Sequence, residues 1–234
     1  MLQKISPEMI KNYTKSELNV LCDEIRKTIY DTVMKCGGHL ASNLGAVEST
    51  VALFSVFDFP KDEIVFDVGH QCYAHKILSG RNEQFASIRT NGGISGFPDT
   101  EESEYDAFTA GHAGTSVSAG LGFCFSRDLK KQTNSVISLV GDGSFTNGLN
   151  LEAMAVSGEK PKKYIVILND NGMSISKNKN GFYRTISKMT ASKGYIRGKR
   201  GLRKIFGDSF ITRALIGLRN FVKRLLKSQD YFES

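Results

Sequence analysis

The spacing of apolar residues predicts a long helix near the start of the chain, from about Ser16 to Lys35. The apolar residues that recur on one face of this helix are Leu18, Leu21, Ile25, Ile29 and Val33. Thr14 and Glu17 have the spacing of a capping box, which satisfies free N–H groups at a helix start. Gly37 follows the last apolar position and should end the helix, because glycine tolerates the left-handed conformation.

Three short apolar runs predict strands at about Glu63–Val68, Ser135–Val140 and Lys163–Leu168. The last two are rich in β-branched residues, which is typical of strands buried on both faces of a sheet. A predicted helix at about Gly148–Ser157 separates them, so they should form a parallel pair with a right-handed crossover. Further helices are predicted at about Gly45–Phe57, Tyr73–Leu78, Asn82–Arg89 and Thr115–Leu129. The expected fold class is α/β, with a mainly parallel sheet and helices on both of its faces.

Charge divides the chain near residue 176. Residues 1–176 contain 16 Lys and Arg against 21 Asp and Glu, a net charge of −5, whereas residues 177–234 contain 15 against 3, a net charge of +12. We therefore interpret 1–176 as an α/β domain. We interpret 177–234 as a basic mobile loop followed by an amphipathic helix, whose apolar positions run from Phe210 to Leu226. This second segment is expected to continue the same domain.

The basic segment has two interpretations. Basic amphipathic helices bind anionic membrane surfaces, and basic segments also bind nucleic acid. Alternatively, the helix covers the sheet or the mouth of a site, and the basic loop orders over phosphorylated ligands. We favour the second interpretation, because a site for phosphorylated ligands would itself account for the positive charge. We therefore expect neither a nucleic-acid partner nor contact with a membrane.

Composition excludes several protein classes. The chain has 234 residues, of which 40% are hydrophobic and 24% charged, so it can bury a core and is not expected to be disordered. No apolar run approaches the roughly 18 residues of a membrane span, and the polar N-terminus lacks the apolar stretch of a signal peptide. The four cysteines have no CxxC spacing and predict reduced thiols rather than disulfides or a zinc site. We expect a cytoplasmic protein.

Unusual polar sequences follow two of the predicted strands. Gly-Asp-Gly-Ser occupies 141–144, and Asn-Asp-Asn occupies 169–171. In open α/β sheets, ligands bind beyond the carboxyl ends of the strands, and these two ends should be neighbours. The glycines would let backbone N–H groups approach an anion, while Asp142 and Asn171 offer the hard oxygen ligands that Mg²⁺ prefers. Gly-Asp-Gly alone could equally be a tight turn; the joint pattern is much more specific.

The joint pattern of strand, Gly-Asp-Gly, helix, strand and Asn-Asp-Asn resembles the diphosphate-binding motif of thiamine-diphosphate enzymes. Asp142 and Asn171, which offer the oxygen ligands, are 29 positions apart. Further matching stretches occur at 37–45, 66–71, 74–80, 92–98, 102–106 and 111–122. Together they resemble the N-terminal domain of the 1-deoxy-D-xylulose-5-phosphate synthase family, which is transketolase-like. The resemblance covers about residues 15 to 180. It implies a fold of the transketolase N-terminal type, incomplete at the C-terminus.

The resemblance implies a role for individual residues. Those that match the family's Mg²⁺ ligands are Asp142, the side chain of Asn171 and the main-chain carbonyl of Met173. Those that match its cofactor-binding residues are His70, Gly111, His112, Ala113, Gly143, Ser144 and Asn171. His39 matches a catalytic histidine that binds substrate and transfers protons. The chain departs from the family at Ala113 and Gly114, where many relatives have serine.

Several nearby residues have a structural interpretation beside the functional one. We expect His75, Glu104 and Asp106 to be structural. His112 could act through its ring or through its backbone in a Gly-rich turn, and both alternatives stay open. Cys72 is interpreted as a small packed side chain, because nothing in the sequence indicates a lowered thiol pKa.

The resemblance implies an enzyme that uses thiamine diphosphate and Mg²⁺. The family condenses pyruvate with glyceraldehyde 3-phosphate to 1-deoxy-D-xylulose 5-phosphate and CO₂, which feeds isoprenoid and thiamine synthesis. Its cofactor is activated by a glutamate from a second, pyrimidine-binding domain, and we find no candidate for that glutamate among these residues. We therefore expect a homodimer, or a complex with a chain that carries the pyrimidine-binding domain, and an inactive protein without that domain.

Other interpretations of the whole chain stay open. It could be the N-terminal subunit of a split transketolase that acts on another sugar phosphate, or a non-catalytic remnant. A split-gene subunit, a truncated product and an excised fragment are all compatible with the sequence.

Overall fold

The structure, a computed structural model, describes residue 2 and residues 5–157 and 163–169. The strands are β1 (Glu63–Phe66), β2 (Val136–Gly141) and β3 (Tyr164–Asn169). The α-helices are α1 (Pro7–Ile10), α2 (Lys15–Cys36), α3 (Leu40–Leu44), α4 (Val47–Val56), α5 (Tyr73–Lys76), α6 (Ser116–Leu129), α7 (Asp142–Phe145) and α8 (Gly148–Val156). None of the helices in these ranges is long and apolar enough to cross a membrane. The predicted loop and amphipathic helix of 177–234 lie outside the described residues.

The predicted N-terminal helix is confirmed as α2. Its capping box is present, because Glu17 N donates to Thr14 Oγ1 at 3.3 Å and Thr14 N donates to Glu17 Oε2 at 2.7 Å. The helix ends at Gly37, whose φ of 75° suits glycine. The buried face of α2 carries Leu21, Cys22, Ile25, Ile29 and Val33.

The three strands are parallel and lie in the order β1-β2-β3. β2 is buried from Val136 to Val140, as predicted, because it lies between two strands with side chains packed on both faces. β3 is only half-buried, and Ile165 is 37% exposed. The prediction that this strand is buried on both faces is therefore wrong, since β3 lies at the edge of the described sheet.

Helices cover both faces of the sheet, which confirms the predicted fold class. One face carries Ile64, Phe66, Ile137 and Leu139, which share a core with residues of α2 and α4. On the opposite face, Ser138 Oγ donates to Ser116 O at the start of α6 at 2.8 Å. Alternate residues of a strand point to opposite faces, so β2 contacts both helical layers.

The stretch between β1 and α6 differs from the prediction. The helix predicted at Tyr73–Leu78 forms as α5, and its helical backbone ends before Ser79 and Gly80, where Gly80 has a left-handed φ of 90°. The helix predicted at Asn82–Arg89 is wrong, because only a single 3₁₀ turn forms there, at Gln84–Ser87. Arg89 has a left-handed φ of 61°, which is incompatible with continuing a right-handed helix.

Buried charged residues join α5 to the loop that precedes α6. We call His75, Lys76, Arg81, Glu102 and Asp106 the Asp106 cluster. Asp106 accepts hydrogen bonds from Arg81 Nη1 at 2.7 Å and from Arg81 Nη2 at 2.8 Å, and lies 2.9 Å from His75 Nε2. Lys76 pairs with Glu102 in the same cluster. The structural roles expected for His75 and Asp106 are thereby confirmed.

Candidate functional site

Three of the residues predicted for the site, Asp142, Gly143 and Ser144, directly follow the carboxyl end of β2. Gly141 and Asn169 are register partners at the last positions of β2 and β3. Asp142 directly follows the first of them in sequence, and Asn171 lies two positions after the second. The expectation that these two strand ends are neighbours is therefore confirmed. Asn171 and Met173 lie outside the described residues, so their roles stay predictions.

The turn after β2 carries Asp142, the predicted metal ligand. Asp142 begins α7 and is only 7% exposed. Ser144 O accepts a hydrogen bond from Asn150 Nδ2 at 2.9 Å, which fixes the turn to α8. Among the described residues, no atom outside the local backbone lies within 4 Å of a Cβ built at Gly143. The turn therefore combines a backbone that Asn150 holds with space at Gly143 that no described residue fills.

Gly111, His112 and Ala113 are exposed in the loop that precedes α6. The loop is tied to its surroundings through two carbonyls, since Thr115 Oγ1 donates to His112 O at 3.1 Å and Asn147 Nδ2 donates to Ala113 O at 3.3 Å. A Cβ at Gly111 would also meet no atom of the described part of the chain within 4 Å, its own neighbours aside. Whether His112 acts through its ring or its backbone stays a prediction.

Gly114 shows why the chain departs from the serine that the resemblance implies. Gly114 has a φ of 88°, and a Cβ there would lie 2.5 Å from Asn147 Oδ1 and 2.7 Å from Asn147 Nδ2. Asn147 is itself required locally, because its Oδ1 accepts from Leu149 N at 3.0 Å and caps α8. The two residues fill complementary volumes, so a serine at 114 would clash with Asn147.

Asp67, directly after β1, contacts the loop before α6 directly and the turn after β2 through Asn150. Its Oδ1 accepts from Gly114 N at 2.9 Å. Its Oδ2 accepts from Ser116 N at 3.2 Å, from Ser116 Oγ at 2.9 Å and from Asn150 Nδ2 at 3.1 Å. Because Asn150 also donates to Ser144 O, one carboxylate is linked to the loop before α6 and to the turn after β2.

His39 and His70 lie side by side, with ring centroids 5.3 Å apart. Buried Asn43 joins them through the backbone, because its Nδ2 donates to His39 O at 2.6 Å and to His70 O at 2.7 Å. Asn43 Oδ1 accepts from Tyr73 N at 2.9 Å. The predicted catalytic residue and a predicted cofactor contact are thus brought together, which the sequence alone did not show.

The environment favours neutral rings at both histidines. Burial, and then the positive charge of Arg89, lower the pKa of His39. Burial, and then His39, lower the pKa of His70. His70 Nδ1 is buried and has no hydrogen-bond partner among the described residues. Neutral imidazoles can donate and accept at the same time, and His70 keeps a nitrogen available for a ligand.

Cys72 also proves to be structural. It is fully buried, and burial raises the pKa of its thiol to about 12, which confirms that it is packed rather than nucleophilic. Within the described ranges, no group of three or more His, Cys, Asp or Glu residues could hold a metal ion.

Sequence reasoning missed the residues that act across long sequence distances. These are Asn43, Asp67, Arg89, Asn147 and Asn150. Asn43 and Asp67 lie within stretches that the resemblance singled out, but neither was assigned a role. A local sequence pattern does not predict these contacts, because Asp67 and Asn150 are 83 positions apart in the sequence.

Comparison with known proteins gives a consistent result. The sequence profile of the family described as 1-deoxy-D-xylulose-5-phosphate synthase matches residues 2–234. A relative of that name from Syntrophomonas wolfei is 49% identical over 233 residues, which cover 97% of this chain and 36% of the relative. One from Clostridium beijerinckii is 44% identical over 239 residues, which cover 100% of this chain and 39% of the relative. The chain thus spans well under half the length of these relatives.

Solved structures agree on the fold. Transketolase from Leishmania mexicana matches with a TM-score of 0.64 and 20% identity, covering 74% of this chain and 31% of that one. Transketolase from Campylobacter jejuni matches with a TM-score of 0.62 and 19% identity, covering 74% and 32%. These structures support the transketolase-like fold that the resemblance implied. The family itself is shown by the profile match over residues 2–234: the chain belongs to the 1-deoxy-D-xylulose-5-phosphate synthase family.

Proposed function

We propose that this chain binds thiamine diphosphate with a divalent cation such as Mg²⁺ and forms the diphosphate-binding part of a 1-deoxy-D-xylulose-5-phosphate synthase. Its family depends on thiamine diphosphate and a divalent metal. The observation that carries the proposal is the pairing of Gly141 with Asn169, which brings the ends of β2 and β3 together. Asp142 and Asn171 follow these two ends, as ligands of one cation would have to.

The residues present fit such a cofactor. At Gly111 and Gly143, no described residue fills the space where a Cβ would be, so phosphate oxygens could approach their backbone. His70 Nδ1 is a buried nitrogen without a partner in the described ranges, and a ligand could satisfy it. Asp142 supplies a carboxylate, the ligand type that Mg²⁺ prefers and that bridges best to a diphosphate through the cation.

Each residue has a defined task in this proposal. Asp142, the Asn171 side chain and the Met173 carbonyl hold the cation, while Gly143 and Ser144 hold the diphosphate. His70 and the loop at 111–113 contact the thiamine. When bound, thiamine diphosphate supplies a carbon nucleophile and an electron sink for the decarboxylation of pyruvate. His39 binds substrate and moves a proton through its imidazole, which its lowered pKa keeps neutral and able to accept.

The proposed reaction joins pyruvate to glyceraldehyde 3-phosphate and releases CO₂. Two alternatives are less well supported: a split transketolase that acts on another sugar phosphate, and a non-catalytic remnant. The relatives from Syntrophomonas wolfei and Clostridium beijerinckii, both named 1-deoxy-D-xylulose-5-phosphate synthase, are 49% and 44% identical to this chain. The transketolases from Leishmania mexicana and Campylobacter jejuni are 20% and 19% identical. In the reconstituted enzyme, CO₂ release from pyruvate would favour the first function, and ketol transfer without CO₂ would favour the split transketolase.

We also infer that the carboxylate that activates the cofactor's aminopyrimidine comes from outside these 234 residues. Glu48 is the most tempting carboxylate, but it lies in the apolar helix α4, where Arg26 Nε donates to its Oε1 at 3.1 Å. That hydrogen bond lowers the pKa of Glu48, whereas an activating carboxylate needs to hold a proton. A second copy of this chain would repeat the same half of the site, so a pyrimidine-binding domain is needed.

The metal assignment predicts the behaviour of an Asp142→Ala variant. Removing this carboxylate should weaken Mg²⁺-dependent binding of thiamine diphosphate at least about tenfold, or about 1.4 kcal/mol, because the diphosphate loses its bridge to the protein. Titration calorimetry with and without Mg²⁺ measures the effect. Asp128→Ala is the control, since Asp128 lies at the far end of α6 and should leave binding unchanged. Equal affinity of Asp142→Ala and the unsubstituted chain would contradict the assignment.

A further inference from the structure

We propose that Asp67 is a positioning residue that holds the two cofactor-binding segments, the loop at 111–114 and the turn at 141–144, at a fixed separation. The inference rests on the proposed function, because it concerns the same cofactor site. Asp67 belongs to the stretch 66–71, in which only His70 has a proposed contact with the cofactor. Its side chain acts through other residues and is given no contact with the cofactor itself.

Asp67 holds the loop before α6 through main-chain N–H groups. Asp67 accepts from Gly114 N at 2.9 Å and from Ser116 N at 3.2 Å. These are free N–H groups at the start of α6, and the helix has no cap from the side chain of its own N-cap residue, Thr115. Asp67 therefore replaces a local cap from 49 positions away, so the loop is anchored to the end of β1.

Asp67 holds the turn after β2 through the side chain of Asn150. Asn150 is fully buried, and its Nδ2 donates to Asp67 Oδ2 at 3.1 Å and to Ser144 O at 2.9 Å. One amide thus bridges the carboxylate and the turn. Ser144 is a proposed diphosphate contact, and Ala113, at the other end of the link, is a proposed thiamine contact. Both depend on a single anchor at Asp67.

The anchor is itself held firmly. Asp67 is 1% exposed, and its N–H extends the sheet by donating to Leu139 O at 2.8 Å. The next residue, Val68, has a left-handed φ of 60°, and Gly69 N donates back to Asp67 O at 2.6 Å. A β-branched residue keeps such a conformation only where its surroundings enforce it. The sharp turn fixes the carboxylate beneath the two segments and leads the chain on to His70.

The chemistry favours a carboxylate at this position. In the described ranges, the Asp67 side chain accepts hydrogen bonds only from neutral donors: two main-chain N–H groups, one hydroxyl and one amide. A carboxylate has enough lone pairs for all four, whereas an asparagine would turn one oxygen into a donor that faces other donors. Replacement should therefore release at least one of the two segments. A cofactor that must contact both would then have to order them, which lowers its affinity.

The test compares amide hydrogen exchange and cofactor affinity in three variants of the full chain. Asp67→Asn should speed exchange at Gly114 and Ser116 and weaken Mg²⁺-dependent thiamine diphosphate binding, each at least about tenfold. Asn150→Ala cuts only the second link, so exchange should rise in 142–147 and not at Gly114. Asp62→Asn is the matched control, because Asp62 accepts from Ser135 N at 2.5 Å at the opposite end of β1.

The double variant separates positioning from a general loss of stability. If Asp67 acts on the turn through Asn150, adding Asn150→Ala to Asp67→Asn should cost less affinity than Asn150→Ala alone costs. With Asp62→Asn as the partner, the effect of Asn150→Ala should be unchanged. If Asp67→Asn does not fold, the exchange pattern and affinity of Asn150→Ala decide the question, and an unaltered turn with unaltered affinity overturns the inference.

The outcomes distinguish this inference from the proposed function. Normal binding by the unsubstituted chain, together with unchanged exchange or unchanged affinity in Asp67→Asn, overturns the inference alone. Failure of the unsubstituted chain to bind thiamine diphosphate with Mg²⁺ overturns the proposed function and the inference together.

Discussion

Gly114 and Asn147 show how two residues in the site depend on each other. Asn147 caps α8 and holds Ala113 O, while Gly114 leaves the space that the Asn147 side chain occupies. The loop that carries the predicted cofactor contacts is shaped by this pair rather than by either residue alone.

This pairing predicts a compensating double variant. Gly114→Ser should lower the free energy of unfolding by about 1–3 kcal/mol, because the new side chain adopts a left-handed φ and meets Asn147. Asn147→Gly alone should cost only a few tenths of a kcal/mol, since glycine is a tolerable N-cap. The Gly114→Ser/Asn147→Gly double variant should recover about 1 kcal/mol relative to additivity. Urea unfolding of the four proteins measures this, and strictly additive effects would contradict the proposed complementarity.

At the scale of elements, the Asp106 cluster connects α5 with the loop before α6. Burial alone would raise the pKa of Asp106, but its hydrogen bonds with Arg81 and His75 outweigh burial and hold the pKa well below its usual range. Burial lowers the pKa of His75, against the opposing effect of Asp106. The His75 side chain is fully buried between Phe54 and Phe66. Arg81 already neutralises much of the charge of Asp106.

The direction of the His75 shift predicts acid sensitivity. Because the pKa of His75 is lower in the folded protein than its ordinary 6.5, the unfolded chain binds more protons below that pH. Its contribution to stability is therefore present above pH 6.5 and is lost as the pH falls, by at most about 1.4 kcal/mol per pH unit. Asp106 adds a loss of the same sign at more acidic pH.

Urea unfolding between pH 7.5 and 5 checks this prediction. His75→Gln, which cannot take up a proton but can still donate to Asp106, should show a smaller fall in the free energy of unfolding than the unsubstituted chain. The same steep fall in His75→Gln would show that other groups, such as His39 and His70, account for it.

In the proposed function, the described residues supply one face of a composite site. Asp142, Gly143 and Ser144 follow β2, and His70 follows the neighbouring strand β1. His39 lies against His70. The chain covers 36% and 39% of two relatives that are named 1-deoxy-D-xylulose-5-phosphate synthase. In the proposed function, the remaining wall of the site and the activating glutamate come from a pyrimidine-binding domain.

This division predicts that the chain alone binds the cofactor and does not turn over. With saturating thiamine diphosphate, Mg²⁺, pyruvate and glyceraldehyde 3-phosphate, CO₂ release should stay at background, because positioning and proton transfer at the cofactor are both lost. Adding a separately produced pyrimidine-binding domain of the same family should raise the rate. Turnover near one per second by the chain alone would show that the activating carboxylate is among its own residues.

The sequence by itself determined the elements and the kind of chemistry. Apolar periodicity located α2 and the three strands to within a few residues, because helix and strand patterns depend on neighbouring positions. The Gly-Asp-Gly and Asn-Asp-Asn sequences marked the strand ends at which we propose that the cofactor binds. The 3₁₀ turn at Gln84–Ser87 was mistaken for a longer helix, since its apolar residues Phe85 and Ile88 are buried by distant contacts rather than by a helical face.

Only the tertiary structure decided how the site is held together. Asn43 joins His39 to His70, and Asp67 joins the loop before α6 to the turn after β2. The physical reason is that a buried amide or carboxylate needs partners for all its polar atoms, and folding alone determines which distant groups come within 3 Å. Residue types and local spacing set what each segment can form; long-range contacts set which segments can act together.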